Sequence, residues 1–181
     1  TELLDWSDRN HMNVNRKKTK QIIIGPFGLQ TIPESSFSGN VLGLHIDYNL
    51  KWNNHINATY AKASSRLFLL KQLKRSGVVT NDLLHFYMSV IRPVLEYACP
   101  VWHNGLTFEQ SKRLEFIKKR ALKIIYGGDI KNEKMCNNLN LCSLKARRVM
   151  LCKKFFEPIL NERRCLHYLL PNFTDIVDKL L

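Results

Sequence analysis

The chain has 181 residues, of which 45% are hydrophobic and 10% aromatic, enough apolar side chains for one domain or two small ones. Lys and Arg number 28 against 15 acidic residues, and the formal charge of +13 indicates an anionic counterpart, either nucleic acid or an anionic membrane surface. The sequence shows no apolar run near the ~20 residues that span a bilayer, and no secretory signal.

The first fifty residues predict a short helix and two β segments. Residues 1–12 place apolar and charged side chains at helical spacing. Gln21–Ile24 is a β-branched run followed by Gly and Pro, which predicts a strand. Asn40–Asp47 is the second β candidate, with imperfect alternation broken at Gly43, where another backbone can approach closely.

From residue 53 the apolar period becomes helical. The first stripe is Ile56, Tyr60, Ala63, Leu67 and Leu70. These spacings of three and four predict one amphipathic helix that ends at Gly77. Thr80 is the predicted N-cap of a second helix through about Ile91, and Pro93 is expected to restart the chain.

A capping box at Thr107–Gln110 predicts the start of a third long helix, which Gly127-Gly128 ends. Its apolar stripe is Leu114, Ile117, Ala121 and Ile124. Its cations Arg113, Lys118 and Lys119 are expected to be largely exposed. Ser143 opens a further basic helix that Pro158 limits. The predicted fold class is therefore α+β and mostly helical, with a small antiparallel β piece before a helical bundle.

The cysteines favour free thiols over a disulfide framework or a metal site. They are odd in number and irregularly spaced, so we expect a reducing, intracellular location, cytoplasmic, nuclear or both. The candidate metal set is Cys136, Cys142, Cys165 and His167. Its spacings do not match the Cys-x-x-Cys pairs of structural zinc sites, so small buried thiols are the preferred interpretation.

No enzymatic motif is visible. The sequence has no phosphate loop, no nucleophile elbow, no His-Glu-x-x-His helix and no adjacent carboxylate pair to hold two metal ions. His45 and His103 are expected to be packed or partly exposed imidazoles and not catalysts. The basic helices could simply present solvated outer faces, but the excess recurs on three helices and at Arg16–Lys20, which favours contact with nucleic acid.

A succession of motifs points to one family. These motifs are Leu4–Asp8 (LDWSD), Asn13–Lys20 (NVNRKKTK), Leu42–Asp47 (LGLHID), Leu50–Trp52 with His55–Ile56, and Arg92–Trp102 (RPVLEYACPVW), followed by Arg113–Ile117 and Arg120–Ile125. Together they resemble the C-terminal part of the reverse transcriptase of non-LTR (LINE-type) retrotransposons, in the jockey-like group. The match covers most of residues 3–127, and residues 128–181 match only loosely.

The resemblance implies a right-hand polymerase. Residues 1–52 would be the end of the palm, residues 53–127 a helical thumb-like region, and residues 128–181 a basic helical extension. Partners would be an RNA template, a DNA primer or their hybrid, together with the upstream part of the polymerase, and no membrane.

The resemblance also implies roles for particular residues. Lys18-Thr19 matches a palm motif near the triphosphate of the incoming nucleotide, so the nucleotide- or phosphate-binding set is Lys17, Lys18, Thr19 and Lys20. The segment that matches the hairpin supporting the primer 3′ end is Leu42, Gly43, Leu44 and His45. The cations expected to contact nucleic acid are Lys62, Arg66, Lys71, Arg113, Lys118 and Lys119.

The chain departs from the family in its metal ligands. The metal-binding aspartates of the family lie in earlier palm motifs, and this sequence contains no Asp-Asp pair. Mg²⁺ is therefore expected only for a complete polymerase, no cofactor is expected for this chain, and we expect it to be inactive alone.

Two other interpretations compete with a polymerase fragment. One is a stand-alone basic helical module that binds nucleic acid or protein, and β structure at residues 15–47 without a neighbouring strand would count against it. A weaker one is binding to an anionic membrane surface, for which the helices lack Trp- and Phe-rich apolar faces.

Overall fold

The computed structural model describes residues 2–15, 22–25, 38–127, 143–161 and 166–169. The described chain is mostly helical with one two-stranded antiparallel sheet, so the predicted α+β, mostly helical class is confirmed. The chain divides into two compact units, Thr1–His55 and Ile56–Leu181.

The first unit is built on a β-hairpin. Its regular elements are α1 (Glu2–Arg9), β1 (Ser38–Val41) and β2 (Leu44–Asp47). Leu42 (φ 50°) and Gly43 (φ 83°) both take left-handed conformations, as a two-residue hairpin turn requires. The Asn40 side chain accepts a hydrogen bond from the Gly43 amide at 3.0 Å. The prediction of β structure broken at Gly43 over Asn40–Asp47 is therefore confirmed, with Gly43 in the tight turn between two short strands.

The predicted strand Gln21–Ile24 is not a strand at residues 22–24, and Gln21 lies outside the described residues. The Gly25 amide donates to the Tyr48 carbonyl at 3.1 Å. The Ile22 side chain fills the space in front of Gly39, where an added Cβ would come within 2.5 Å of the Ile22 Cδ1 atom. The β-branched run thus packs on the hairpin through a side chain and not through a hydrogen-bond ladder.

Helices dominate the chain from Asn53 onward. They are α2 (Asn53–Arg75), α3 (Thr80–Phe86), a π-helical turn (Tyr87–Ile91), α4 (Arg92–Glu96), α5 (Cys99–Trp102), α6 (Phe108–Tyr126) and α7 (Leu144–Phe156), with 3₁₀ turns at His103–Gly105, Glu157–Leu160 and His167–Leu169. In the second unit α3 packs on α6, and α7 packs on α4, α5 and α6. Pro93 does not restart the chain, since the π-helical turn leads directly into α4 and the proline sits in the first turn of that helix.

The predicted caps are largely confirmed. Thr107 Oγ1 accepts from the Gln110 amide at 3.2 Å, and Gln110 Oε1 accepts from the Thr107 amide at 2.9 Å, so the capping box is complete. Ser143 caps α7 by accepting from the Ala146 amide at 3.1 Å. Gly127 ends α6 with φ of 68°. The prediction for Thr80 is wrong, because Val79 occupies the N-cap position and makes no side-chain cap.

The buried side of α6 is rotated from the predicted one. Leu114, Ile117 and Ala121 are buried as expected, but Ile124 is only half-buried. The other buried apolar residues of this helix are Leu122 and Ile125. At about 100° per residue this shift carries the buried sector over position 118. Lys118 is accordingly 5% exposed, and the prediction that it is largely exposed is wrong.

We expect Thr107→Ala to lower the free energy of unfolding by about 1 kcal/mol, because the Gln110 amide loses its acceptor at the start of α6. Thr80→Ala is the matched control, since Thr80 begins α3 without a side-chain cap, and its effect should stay within about 0.5 kcal/mol. Urea unfolding followed by circular dichroism measures both. Equal losses for the two variants would contradict the importance of the capping box.

Candidate nucleic-acid interface

The predicted phosphate-binding residues Lys17, Lys18, Thr19 and Lys20 lie outside the described residues.

The predicted primer-supporting residues do not share one surface. Leu42, at the tip of the hairpin, is 86% exposed, whereas Leu44 is buried. His45 is half-buried and lines a small pocket of about 210 Å³. Its ring centroid lies 6.4 Å from that of His55, whose pKa is lowered by burial and then by the charge of His45. Of these four residues, only Leu42 and Gly43 of the turn are exposed.

The predicted cations of α2 form no single basic face. Lys62 and Lys71 are both exposed, but they are nine residues apart, which at about 100° per residue places them on opposite sides of the helix. Arg66 is partly buried and donates through Nη1 to the Val90 carbonyl in the π-helical turn. Arg66 therefore joins two helical segments of the second unit.

The predicted cations of α6 separate into three environments. Arg113 is exposed, yet its Nη1 donates to Asn57 Oδ1 at 2.9 Å and its guanidinium lies 5.0 Å from the Tyr60 ring centroid. Arg113 therefore ties α6 to α2. Lys118 is buried, with Nζ 3.6 Å from Glu115 Oε1. Lys119 is exposed.

A different set of residues forms a continuous surface along α6. This α6 stripe consists of Phe108, Lys112, Phe116, Lys119 and Lys123. Spacings of four, four, three and four residues place all five within a sector of roughly 80°. All are exposed, and the two phenylalanines are 77% and 51% exposed. The sequence contained a signal for this surface, since the aromatic residues repeat at the same period as the lysines.

The α6 stripe borders a cleft of about 720 Å³. The lining residues are His103, Leu106, Thr107, Phe108, Ser111, Lys112, Glu115, Phe116, Lys119, Ser143 and Lys145. Three of them are exposed lysines and one, Glu115, is a carboxylate. Glu115 Oε2 accepts from the Leu144 amide at 2.9 Å, and its other oxygen pairs with Lys118. The single carboxylate is thus already engaged, and the charge offered by the cleft is positive.

A buried arginine lies behind the cleft. Arg148 of α7 is 0% exposed; its Nη2 donates to Ser111 Oγ at 3.0 Å and its Nε to His103 Nδ1 at 3.4 Å. The guanidinium carbon lies 5.8 Å from the Trp102 ring centroid. Burial lowers the pKa of Arg148, although the nearby charge of Glu115 acts in the opposite direction. Sequence periodicity did not indicate this buried site, because Arg148 is one of five basic residues on this helix.

The same positive surroundings act on the histidine at the edge of the cleft. Burial, followed by the charges of Arg148 and Lys145, lowers the pKa of His103. Its Nδ1 accepts the hydrogen bond from Arg148, so the neutral form is the one that fits. His103 therefore adds no charge to the cleft near neutral pH.

The exposed charge of the second unit is strongly cationic. Its described exposed cations are Lys62, Lys71, Lys74, Arg75, Lys112, Arg113, Lys119, Arg120, Lys123, Lys145, Lys153 and Lys154. Its described exposed acids are Asp82, Glu109 and Glu157. Glu96 and Glu115 are partly buried, and Glu96 pairs with Arg147 and, at 3.9 Å, with Arg92. Because these two carboxylates are partly buried and paired, the exposed charge of the unit is mostly positive and attracts polyanions.

The described cysteines are buried thiols. Cys99 and Cys152 are both free, and burial followed by the neighbouring Cys152 raises the pKa of Cys99 to about 11. Cys136, Cys142 and Cys165 of the considered metal set lie outside the described residues, as does most of the tail. Within the described ranges, no three His, Cys, Asp or Glu side chains converge on a point where a metal ion could bind, and no helix is long and apolar enough to cross a bilayer.

No protein-family model, curated protein or solved structure matches the chain. The arrangement on α6 must therefore be interpreted from its own chemistry. Lysine side chains suit phosphate groups, and exposed aromatic rings suit bases.

We expect Arg148→Ala to lower the free energy of unfolding by about 3 kcal/mol, because it empties a buried site and leaves Ser111 and His103 without their donor. Arg148→Met should cost less than half of that, since it fills the volume and carries no charge into the interior. Lys154→Ala, an exposed position on the same helix, is the control and should change stability little. Chemical denaturation compares the three. Equal losses for the alanine and methionine variants would show that charge, and not volume, dominates at this position.

Proposed function

We propose that this chain is the nucleic-acid-binding C-terminal part of a reverse transcriptase of the non-LTR retrotransposon type. Residues 1–52 would be the end of the palm, residues 53–127 the thumb-like region and residues 128–181 a basic extension. The partners would be an RNA template, a DNA primer or their hybrid. The observation that carries the proposal is the exposed cationic surface of the second unit, whose partly buried carboxylates are engaged internally.

The hairpin supports the palm assignment. Among the described residues β1 pairs only with β2, so each strand has one edge without a partner strand. An isolated two-stranded hairpin is marginally stable in water. A hairpin that belongs to a larger sheet would have its edge covered, as the end of a polymerase palm requires.

A second candidate function, a stand-alone basic helical module, is favoured by a different observation. Ile56–Leu181 forms a compact unit with its own buried core. Such a unit could bind nucleic acid without a palm. The two candidates share the binding surface and differ only in whether the first unit needs an additional sheet.

Phosphoryl transfer in the family depends on metal ions held by aspartates, and the two partly buried carboxylates of the second unit are engaged by other groups. Glu96 is paired with Arg147, and Glu115 accepts from the Leu144 amide and pairs with Lys118. The metal would have to be held by the upstream part of the polymerase.

We therefore expect the isolated chain to extend no primer. The measurement is incubation with a primer–template, deoxynucleoside triphosphates and Mg²⁺ or Mn²⁺, with a complete reverse transcriptase as the positive control. The physical reason is the lack of an aspartate pair to place the metal ions. Extension that co-purifies with the chain through a second chromatographic step would overturn this expectation.

We expect the chain to bind an RNA–DNA primer–template that carries an unpaired template extension, with affinity that falls steeply as salt rises. Lys119→Gln combined with Lys123→Gln should reduce the slope of log K against log salt by up to about two, since each phosphate contact contributes roughly one. The melting temperature should hardly change, because both side chains are exposed.

The matched control for this measurement is Lys153→Gln combined with Lys154→Gln, the same change of charge at two positions near the end of α7 that do not line the cleft. Fluorescence anisotropy over a salt series gives the slopes. A control pair that reduces the slope as much as the α6 pair would show that binding is spread over the surface and not concentrated on α6. A wild-type affinity that does not depend on salt would contradict the proposed function itself.

A further inference from the structure

The α6 stripe alternates rings and cations along one line. Phe108, Lys112 and Phe116 follow one another at four-residue intervals, and Lys119 and Lys123 continue the line. The two rings are separated by eight residues, or about 12 Å along the helix axis. Lys112 Nζ lies 5.9 Å from the Phe108 ring centroid, and this ring remains 77% exposed. An accessible ring face therefore lies beside a cation.

Two further features make the adjoining cleft attractive to an anion. Lys145 lines it from α7, opposite Lys112 and Lys119 on α6. Both α6 and α7 also begin at the cleft, at Thr107 and Ser143, and the amino-terminal end of a helix carries partial positive charge.

We propose that the α6 stripe and its cleft bind a single-stranded nucleic-acid segment, the unpaired template beside the duplex, with bases stacked on Phe108 and Phe116 and phosphates on Lys112, Lys119 and Lys145. This inference rests on the proposed function and names the part of the nucleic acid that α6 contacts. Duplex cannot use the rings in this way, because its base faces are stacked on each other. A positive groove with aromatic rings along it is how sequence-tolerant single-strand sites are built.

An acidic peptide is the other polyanion that the charges could attract. A peptide helix would need an apolar groove with the charges at its rim. Here two exposed rings and three lysines follow one another along a single line, which suits a nucleic-acid strand that offers both bases and phosphates. The nucleic acid is therefore the occupant that the arrangement favours.

The test compares three ligands by fluorescence anisotropy: a single-stranded RNA oligonucleotide, a blunt RNA–DNA hybrid, and polyglutamate of matched charge. The variant is Phe108→Leu combined with Phe116→Leu, which keeps apolar side chains and removes the flat rings. Phe155→Leu combined with Phe156→Leu is the control, since these two exposed rings on α7 contact each other away from the cleft.

We expect the α6 variant to lose about tenfold in affinity for single-stranded RNA, as lost stacking predicts, and less than about twofold for the hybrid or polyglutamate. The control should leave all three affinities unchanged.

Each alternative outcome has a distinct meaning. If the hybrid binds with the expected salt dependence but the α6 variant binds single-stranded RNA as tightly as wild type, this inference fails and the proposed function stands. An equal loss for RNA and polyglutamate would show that the rings do not act by stacking on bases, because polyglutamate has none, and this result also overturns the inference. If wild type binds neither RNA nor hybrid, the proposed function fails first. Circular dichroism melting of each variant checks that the fold is retained, as the exposure of both rings predicts.

Discussion

The second unit is organised around a positive charge that water does not reach. Arg148 is fully buried, and both acceptors that face it, Ser111 and His103, are neutral. Carrying a cation into the interior is costly, so the neighbourhood must supply compensation. The Trp102 ring contributes its π face, and Glu115 contributes a negative charge that is close enough to raise the pKa of Arg148 against the lowering by burial. Because these groups come from α5, α6 and the turn between them, Arg148 fixes α7 against all three at once.

Because Arg148 needs negative charge beside it in the interior, fewer carboxylates are left on the surface to balance the exposed lysines. Glu115 also accepts from the Leu144 amide at the start of α7 and pairs with Lys118, while Glu96 pairs with Arg147. The carboxylates that could have balanced surface lysines are therefore used to hold α7 against the rest of the unit. The orientation of α6 follows as well, since Ser111 and Lys118 must face inward. Lys112 and Lys119, about 100° further round the helix, then lie on its exposed side.

The sequence predicted correctly the features that depend on residues close in the chain, such as helix caps. It failed where contacts between helices determine which side chains are buried. The capping box at Thr107 and the end at Gly127 are local, and both are present. Lys118 was assigned to the surface because it lies off the predicted apolar stripe, yet Glu115, one turn earlier, makes its burial tolerable. Arg148 could not have been predicted, because its acceptors lie 37 and 45 residues away. The aromatic members of the α6 stripe were predictable from their period but had not been aligned with the lysines.

The two units differ in how much buried core and paired strand edge each has of its own. This difference bears on which unit would hold a nucleic acid under the proposed function. The second unit has a core that holds α3 to α7 together, and the α6 stripe lies within that unit. The first unit offers two short strands, with Leu42 exposed at the turn and three of the four residues of β1 exposed. Such a hairpin has little apolar surface of its own to bury, and sheet edges of this kind are normally paired or covered. Under the proposed function, nucleic-acid affinity would therefore reside in the second unit, and the hairpin would need further strands to form part of a palm. On this view the helical surface supplies contact with the template, and any chemistry belongs to the sheet that the hairpin would join.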